Sequence, residues 1–304
     1  MEIRVAMDVS PLVQTRAGTA RYVRGLLEHL DVERVAYRGT SRAATLARDV
    51  VWYPSLALKS GVDVLHCPTF RGPPAARVPL VVTVHDLAVL EHPEWFNRWT
   101  RGYSRVMVPR VVGAAARVIA VSETTRAAIQ RLLDVDAVVI PNGVEDVFCP
   151  DGPAAEGDYV LAVGTLEPRK NLARIAEACE GLELRIVGAP GWGGVEPPAD
   201  ATFLGEVDDE ELARLYRGAR CLVYPSLYEG FGIPVAEALA CGCPVVTSAG
   251  SPMAELGDVV EVDPLDVGSI RAGVERAERR AAQVVARWPE VAAATRAVYE
   301  EVAR

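Results

Sequence analysis

Residues 221–248 read CLVYPSLYEGFGIPVAEALACGCPVVTS, and this stretch decides the fold. It opens with an apolar run, turns through Gly230 and Gly232, continues with a helical pattern and ends on a second apolar run. Two strands joined by a helix predict a parallel pair, since parallel strands need a crossover connection. Pro234 suits the first helical turn, where its missing N–H costs nothing, and Gly242 suits the helix C-terminus.

The same alternation of apolar runs and helical segments fills the rest of the chain. Residues 141–158 are turn-rich and have no helical period, so they predict a linker between two halves. We therefore expect an α/β protein with two Rossmann-like, doubly wound domains that face each other across a cleft. Strands are predicted at 4–8, 50–54, 62–67, 80–86, 117–122, 137–142, 159–164, 182–188, 201–205, 221–226 and 243–248. Helices are predicted at 21–30, after Trp95, at 124–133 behind Ser122 as N-cap, and at 171–180, 209–219, 234–240 and about 265–304.

Composition restricts the class of protein. The net charge is −9 over 304 residues, with +3 on residues 1–150 and −12 on the remainder. No broad basic face is expected, which argues against a nucleic-acid partner. The first residues read as a strand rather than a signal peptide, and no apolar run approaches roughly 20 residues, so we expect a cytoplasmic protein. The six cysteines form no Cys-x-x-Cys pair and are expected to be mostly core residues.

The turn before the helix in 221–248 has the features of an anion site. Free backbone N–H groups and the positive end of the dipole meet at a helix N-terminus, and glycines allow close approach of a ligand. Glu229 and Glu237 flank that N-terminus, and carboxylates beside a phosphate are useful when they accept hydrogen bonds from neighbouring hydroxyls. A nucleotide sugar offers hydroxyls on both sides of a diphosphate. The alternative is that each glutamate only complements the dipole.

Further candidates lie at other strand-to-helix junctions. Arg169 and Lys170 open the helix that follows the strand at 159–164, where cations suit a phosphate, unless they are a solvated loop pair. Gly18 follows the first strand and allows backbone to approach a phosphate. His85 ends the strand at 80–86, where a neutral imidazole can contact a sugar, unless it only caps the loop; His66 is a lesser candidate. The pattern is not Gly-x-Gly-x-x-Gly, so we expect no nicotinamide or flavin cofactor.

These motifs together resemble glycosyltransferase family 4, the retaining glycosyltransferases of GT-B fold. The signature is EGFGIPVAEALACGCPVV, and VGTLEPRKN, TVHDL, AVSETT and IPNGV follow the family in the same order over nearly the whole chain. The resemblance is to mannosyltransferases in particular. It implies an acceptor-side domain at 1–145, a nucleotide-sugar domain at 146–285, and a C-terminal helix at 286–304 that crosses back to the first domain.

The resemblance also implies roles for individual residues. Glu229 would contact the donor sugar, Glu237 the ribose, Arg169 and Lys170 the diphosphate, and His85 the sugar. The backbone amides of the glycine turn would hold the diphosphate, a loop of the first domain would approach it, and the base would lie after the strand at 201–205. The residues expected to bind the donor in this way are Gly18, Thr165, Val207, Asp208, Phe231, Gly232 and Ile233.

The chain departs from the family in three places. Ala20 stands where similar enzymes often have a second glycine, and Thr165 where many have a basic residue, which leaves more phosphate charge to Arg169 and Lys170. Residues 188–205 replace a longer segment that usually includes a helix. We expect transfer of a hexosyl group from GDP-mannose or UDP-glucose to a saccharide or lipid-linked hydroxyl, without metal or other cofactor. Residues 134–136 match Asp-x-Asp but are expected to form a loop.

Other possibilities follow from the same sequence. A nucleotide-sugar epimerase uses the same fold, and a non-catalytic nucleotide-sugar-binding protein would need fewer of these groups. Residues 91–117 mix aromatic residues with arginines, which fits peripheral contact with the inner face of an anionic membrane. An amphipathic helix whose arginines face water fits as well and is preferred. The sequence leaves the oligomeric state open.

Overall fold

A computed structural model of the chain describes residues 3–14, 18–39, 41–53, 55, 61–191, 193–279 and 281–304. The chain forms two compact units. Unit 1 comprises Met1–Gly143 and Ala286–Arg304, and unit 2 comprises Val144–Val285. The second unit is therefore contiguous in sequence, whereas the first is assembled from two separate segments.

Unit 1 is built on a six-stranded parallel sheet in the order β2-β1-β3-β4-β5-β6. Its central strands are buried along their whole length, as expected for parallel strands covered on both faces. The strands are β1 (Val5–Asp8), β2 (Glu33–Val35), β3 (Val64–Cys67), β4 (Leu80–Val84), β5 (Arg117–Ala120) and β6 (Val138–Val139). The strand order reverses direction between β1 and β3, so loops diverge there and leave a crevice at the carboxyl ends.

The helices of unit 1 agree with the sequence pattern where they are long. Ser122 caps its helix as predicted, since its Oγ accepts from the backbone N–H of Thr125 at 3.0 Å. Residues 134–136 form a loop, as expected, with Asp134 in the left-handed region at φ 53°. The helices are α1 (Pro11–Gln14), α2 (Gly18–Leu27), α3 (Arg42–Ala47), α4 (Ala88–Glu91), α5 (Arg98–Gly113), α6 (Glu123–Leu133) and, from the second segment, α11 (Trp288–Val302).

The prediction of a strand at 50–54 is wrong for 50–53, and Pro54 lies outside the described residues. Ser41 caps α3 by accepting from the backbone N–H of Ala44 at 3.1 Å, and the helix continues as a π-helical turn over Arg48–Trp52. Tyr53 follows, and its buried phenol donates to Asp8 at 2.5 Å. The sixth strand is instead β2, which the sequence did not reveal because two of its three residues are exposed and charged.

Unit 2 holds the second six-stranded parallel sheet, in the order β12-β11-β10-β7-β8-β9. That order is the doubly wound Rossmann arrangement, with its switch point between β7 and β10. The strands are β7 (Tyr159–Val163), β8 (Glu183–Val187), β9 (Thr202–Gly205), β10 (Cys221–Tyr224), β11 (Val245–Ser248) and β12 (Val260–Val262). The sequence predicted the first five and missed β12, a short edge strand.

The helices of unit 2 are α7 (Leu172–Ala178), α8 (Asp209–Gly218), α9 (Ile233–Ala240) and α10 (Val267–Arg276). The expectation of helix throughout 265–304 is therefore wrong for 277–279 and 281–287, and residue 280 lies outside the described residues. In this segment the Arg279 guanidinium donates to the carbonyl of Ala219 at 3.0 Å, and the backbone N–H of Gln283 donates to the carbonyl of Leu239 at 3.0 Å. These hydrogen bonds join the segment to the rest of unit 2, and Pro289 favours the start of a new helix rather than continuation of an old one.

The segment predicted as a linker is packed against unit 2 rather than free. Phe148 is fully buried and meets Tyr216 edge to face with ring centroids 6.0 Å apart. The Arg217 guanidinium donates to the carbonyls of Pro153 at 2.8 Å and Cys149 at 3.2 Å. Cys149 is half-buried and the other five cysteines are buried, so the expectation of core cysteines is confirmed. Among the described residues, no helix is both long and apolar enough to cross a membrane.

Helix α11 completes the core of unit 1. Trp288 is 3% exposed and packs edge to face on Tyr22 with centroids 6.1 Å apart. A Cβ at Gly25 would lie 2.2 Å from the indole, and a Cβ at Gly143 would lie 2.6 Å from it, so both positions need glycine. Further along the helix, the Tyr299 hydroxyl lies 2.7 Å from Nδ1 of buried His66. The C-terminal segment is thus an integral part of the first unit.

Candidate functional site

The strongest candidate site lies at the switch point of unit 2. Strands β7 and β10 are neighbours there, and the loops that leave their carboxyl ends run in opposite directions. The loop after β7 carries Arg169 and Lys170, and the loop after β10 carries Ser226 and Glu229. Residues that are 59 or 60 positions apart in sequence therefore meet at one edge of the sheet.

Glu229 is the centre of this cluster. Its Oε1 lies 2.5 Å from Lys170 Nζ and 2.8 Å from Arg169 Nη1. The same oxygen lies 2.8 Å from Ser226 Oγ and 3.0 Å from the Tyr224 hydroxyl, and both donate to it. Among the described residues, every hydrogen bond to this carboxylate reaches Oε1. Oε2 is thus left as an acceptor for a ligand hydroxyl.

Burial and neighbouring charges compete in setting the pKa values of the cluster. Burial alone would raise the pKa of Glu229, but the charges of Lys170 and Arg169 outweigh burial and lower the pKa to about 2. Burial lowers the pKa of Lys170 in spite of the adjacent carboxylate. Burial also raises the pKa of Tyr224 well above its usual value, so its phenol remains a donor. At neutral pH the cluster is a carboxylate clamped by cations and hydroxyls.

Acid titration tests this clamp. Because the folded pKa of Glu229 is about 2 and its ordinary value is 4.5, its stabilisation is complete above pH 4.5 and is lost as pH falls towards 2. We expect the wild type to lose roughly 3 kcal/mol more unfolding free energy than Glu229→Gln between pH 5 and pH 2, measured by urea denaturation. Glu211→Gln removes an exposed pair with Arg214 and should change this difference by less than about 1 kcal/mol. Equal acid sensitivity of Glu229→Gln and wild type would contradict the clamp.

Local backbone structure positions the two cations. Pro168–Lys170 forms a 3-10 turn that ends at Asn171, which is left-handed with φ 62°. The side-chain amide of Asn171 donates to the carbonyls of Pro225 at 3.1 Å and Pro264 at 2.6 Å, which ties the loop after β7 to the loop after β10. A Cβ at Gly164 would lie 3.1 Å from Lys170 Cε, so the glycine makes room for the lysine stem.

The glycine turn behaves as the sequence predicts. Gly232 precedes α9 with φ 95°, and a Cβ there would lie 2.4 Å from Met253, so no other residue fits without displacement. Phe231 is buried and Ile233 is half-buried. Pro234 lies in the first helical turn, and Gly242 follows the helix with φ 70°. The helix α9 thus begins four residues after Glu229, and the free N–H groups of its first turn are the kind of group that an anion site requires.

Glu237 lies one turn inside α9 and is 1% exposed. Its Oε2 accepts a hydrogen bond from the Tyr216 hydroxyl of α8 at 3.0 Å. Contact of Glu237 with a ribose remains a prediction, and no sequence pattern indicated its hydrogen bond with Tyr216.

The remaining predicted donor residues of unit 2 lie at the same edge of the sheet. Thr165 is half-buried in the loop after β7, and Val207 is half-buried after β9. Asp208 caps α8 by accepting from the backbone N–H of Glu211 at 2.8 Å. This capping role accounts for an aspartate at position 208 even if it binds no ligand, so contact of Asp208 with a nucleotide base stays a prediction.

Unit 1 contains the other two predicted site residues, His85 and Gly18. His85 follows β4, and its Nε2 lies 3.0 Å from the carbonyl oxygen of Pro68. Since that oxygen only accepts, Nε2 carries the proton and Nδ1 is an acceptor. Burial lowers the pKa of His85 to about 4, so the ring is neutral at pH 7. Gly18 is exposed at the first residue of α2, and residues 15–17 before it lie outside the described residues.

His66 has a structural environment. Its Nδ1 meets the Tyr299 hydroxyl, and its Nε2 lies 2.9 Å from Thr83 Oγ1. Burial lowers the pKa of His66 to about 3, so it is neutral at physiological pH. Both ring nitrogens are engaged within the core, which agrees with its lower rank as a candidate. Among the described residues, no group of three or more His, Cys, Asp or Glu side chains is arranged to hold a metal ion.

Comparison with known families decides the relationship. The model of Glycosyltransferase Family 4 matches residues 8–169, which is more than half of the chain, and the model of Glycosyl transferases group 1 matches residues 150–258. The chain belongs to glycosyltransferase family 4. The two matches overlap at residues 150–169, which include the strand β7 and the first part of the loop that carries Arg169.

Individual relatives refine this assignment. The chain is 32% identical to O-antigen chain mannosyltransferase B of Escherichia coli, over 64% of this chain and 60% of the relative. It is 32% identical to O-antigen chain mannosyltransferase RfbU of Salmonella typhimurium, over 69% and 64%. It is also 32% identical to the phosphatidyl-myo-inositol mannosyltransferase of Mycobacterium tuberculosis, over 67% and 61%. This family 4 protein is thus mannosyltransferase-like, and it spans about three fifths of the length of these relatives.

Solved structures establish the fold. Sucrose-phosphate synthase from Thermosynechococcus elongatus superposes with a TM-score of 0.79 at 20% identity, covering 99% of both chains. The lipopolysaccharide glycosyltransferase WaaG superposes with a TM-score of 0.65 at 16% identity, covering 99% of this chain and 94% of that one. The expected GT-B fold with two Rossmann-like domains is therefore confirmed.

Proposed function

We propose that this family 4 protein is a retaining glycosyltransferase that moves a hexosyl group from a nucleotide diphosphate sugar to a hydroxyl. The observation that carries the proposal is the carboxylate Glu229, held at one oxygen by Lys170 and Arg169 beside the N-terminus of α9. Cations and helix amides suit a departing diphosphate, and a free carboxylate oxygen suits sugar hydroxyls. Three relatives named as mannosyltransferases favour a mannosyl donor, which we take to be GDP-mannose.

The protein contributes to this reaction mainly by electrostatic stabilisation of the transition state. The anomeric carbon–oxygen bond breaks, its electron pair leaves with the diphosphate, and an oxocarbenium-like centre is attacked by the acceptor oxygen on the same face. The acceptor proton passes to the leaving diphosphate. Lys170, Arg169 and the first amides of α9 stabilise the developing negative charge, and Glu229 orients the sugar through Oε2. The incoming phosphate charge also favours the protonated form of Lys170, which burial otherwise disfavours.

Metal independence is part of this proposal. The charge that a divalent cation would neutralise is assigned to Lys170, Arg169 and the helix amides. Transfer that persists in excess chelator would support this assignment, and strict loss of transfer that added magnesium restores would overturn it.

Nucleotide binding is the direct test of the donor. GDP at 100 times its dissociation constant should raise the unfolding free energy by roughly 2.7 kcal/mol, measured as a shift in melting temperature. We expect Glu237→Gln to reduce the shift with GDP and GDP-mannose. Tyr216→Phe, which keeps the carboxylate, should retain it. UDP and UDP-glucose serve as competitors for the donor assignment.

Each result has a definite meaning. A shift with UDP alone would replace GDP-mannose by UDP-glucose as the donor. An isomerised donor in the absence of any acceptor would indicate the epimerase, and an intact donor with every acceptor tried would indicate a binding protein. No shift with any nucleotide would overturn the proposed function.

A further inference from the structure

Unit 1 has a surface groove that the donor site does not use. The groove measures about 620 Å³ and lies between α4, the turn after it and α5. One side is apolar and is formed by Val89, Leu90 and Pro93. The other side is formed by α5 and carries guanidinium groups. Apolar and cationic walls face the same space, which is the arrangement that an anionic amphiphile requires.

The cationic wall consists of Arg98, Arg101 and Arg105. Spacings of three and four residues place them on one face of α5. The helix contains no acidic residue, and among the described residues none of the three arginines forms an ion pair. All three residues are exposed, and such unpaired guanidinium groups can form charge-assisted, bidentate hydrogen bonds with phosphate or carboxylate.

The nearby acidic side chains interact with residues outside the groove. Glu91 forms an ion pair with Arg131, and Glu94 accepts from His92 at 3.3 Å. Among the described residues, neither carboxylate is paired with an arginine of the groove, so the three guanidinium groups are available to an anionic ligand. Across the described residues, many other arginines pair with a carboxylate, as Arg117 does with Glu301.

The aromatic side chains of α5 face the protein. Trp99 stacks on Tyr103 with ring centroids 4.9 Å apart, and the Tyr103 phenol donates to buried Asp49. The Arg42 guanidinium lies 5.8 Å from the centre of the Trp99 ring. Because these rings are engaged within unit 1, they are not presented as anchors for a bilayer interface. This arrangement favours binding of a single ligand molecule in the groove over contact of α5 with a membrane surface.

The groove is close to the predicted acceptor-side histidine in sequence. Val89 and Leu90 follow His85 by four and five residues, immediately after the carboxyl end of β4. Ligands of open parallel sheets bind at this edge. The apolar wall is thus built from the same loop and helix that position His85.

We propose that this groove binds the acceptor, and that the acceptor is an anionic amphiphile. Its phosphate or carboxylate lies on Arg98, Arg101 and Arg105, and its apolar portion lies on Val89 and Leu90. The role of this ligand as acceptor rests on the proposed glycosyl transfer. The binding of an anionic amphiphile to the groove does not depend on that proposal.

Calorimetric titration with octyl phosphate below its micellar concentration tests the groove. We expect binding at one site, with inorganic phosphate and neutral octyl glucoside both binding more weakly. The double variant Arg101→Gln/Arg105→Gln should weaken octyl phosphate at least about tenfold, the size expected for lost charge-assisted hydrogen bonds. Arg110→Gln is the matched control, since Arg110 lies on the same helix outside the groove and should change affinity by less than about twofold.

A second variant closes the groove without changing charge. Gly102 lines it, and a Cβ at that position meets no atom within 4 Å. Gly102→Leu should therefore leave α5 intact, because leucine is the better helix former, and should weaken octyl phosphate by at least about tenfold through occlusion.

The outcomes separate the possibilities. Unchanged octyl phosphate affinity in both groove variants would overturn the proposal, as would equal weakening by Arg110→Gln. Binding only to phosphatidylglycerol vesicles, lost equally in all arginine variants, would assign α5 to a membrane surface instead. Because no nucleotide is present, octyl phosphate binding alongside a failed GDP shift would retain the groove and reject the donor assignment.

Discussion

Replacing Lys170 by methionine is expected to lower kcat for sugar transfer by about 10²–10³-fold, the usual effect of removing one preorganised donor from a transition-state site. Methionine keeps the length and apolar contacts of the lysine stem but removes the ammonium. Lys170 is 9% exposed, so water does not readily replace the lost charge. Arg169 remains beside Glu229 and retains part of the electrostatic effect.

Loss of activity must be separated from loss of folding. Lys170→Met leaves Glu229 with one cation fewer, and breaking a buried pair destabilises strongly. The double variant Lys170→Met/Glu229→Gln removes both charges, so we expect its melting temperature to recover while transfer stays low. Arg214→Met removes an ion-paired but exposed cation of the same unit and should retain activity. Transfer by Lys170→Met close to the wild-type rate would refute the role of the ammonium.

Trp288→Ala is expected to lower the unfolding free energy of unit 1 by about 3–5 kcal/mol, as for other buried tryptophans. The indole fills space that Gly25 and Gly143 leave open, so its removal creates a cavity that the backbone cannot close. Urea denaturation followed by circular dichroism measures the change. A loss below about 1 kcal/mol, close to the effect of a surface substitution, would show that α11 does not complete the core.

Trp288→Phe supplies the control for that experiment. Within the described residues, the indole Nε1 of Trp288 is buried and has no hydrogen-bond partner. Phenylalanine removes this unsatisfied donor while keeping an aromatic ring against Tyr22. We therefore expect Trp288→Phe to retain most of the stability that Trp288→Ala loses.

The sequence predicted the fold where local pattern and tertiary packing agree. Buried strands such as Leu80–Val84 are apolar at every position except Thr83, and Ser122 is both predicted and observed as an N-cap. The predictions failed where tertiary contacts determine the structure. Residues 50–53 contain adjacent valines but continue a helix, and Glu33–Val35 pairs at a sheet edge with mostly exposed side chains.

The candidate site shows the same division. Gly232 and Pro234 indicate a turn and a helix start through their own backbone preferences, so the sequence could locate the helix N-terminus where an anion site is predicted. The pairing of Glu229 with Lys170 depends on the adjacency of β7 and β10, which no local pattern encodes. The sequence motifs assigned the two residues to separate parts of a ligand. The hydroxyls of Tyr224 and Ser226 gave no signal beyond their place at the end of a strand.

Helix α11 has a consequence for synthesis of the protein. Unit 2 is contiguous, so all of its strands and helices have been translated once residue 285 has left the ribosome. The core of unit 1 stays open on the side of Tyr22 and Gly25 until residues 286–304 emerge. Unit 1 is therefore translated first but can complete its core only after unit 2 has emerged, and until then its exposed apolar surface is prone to aggregation.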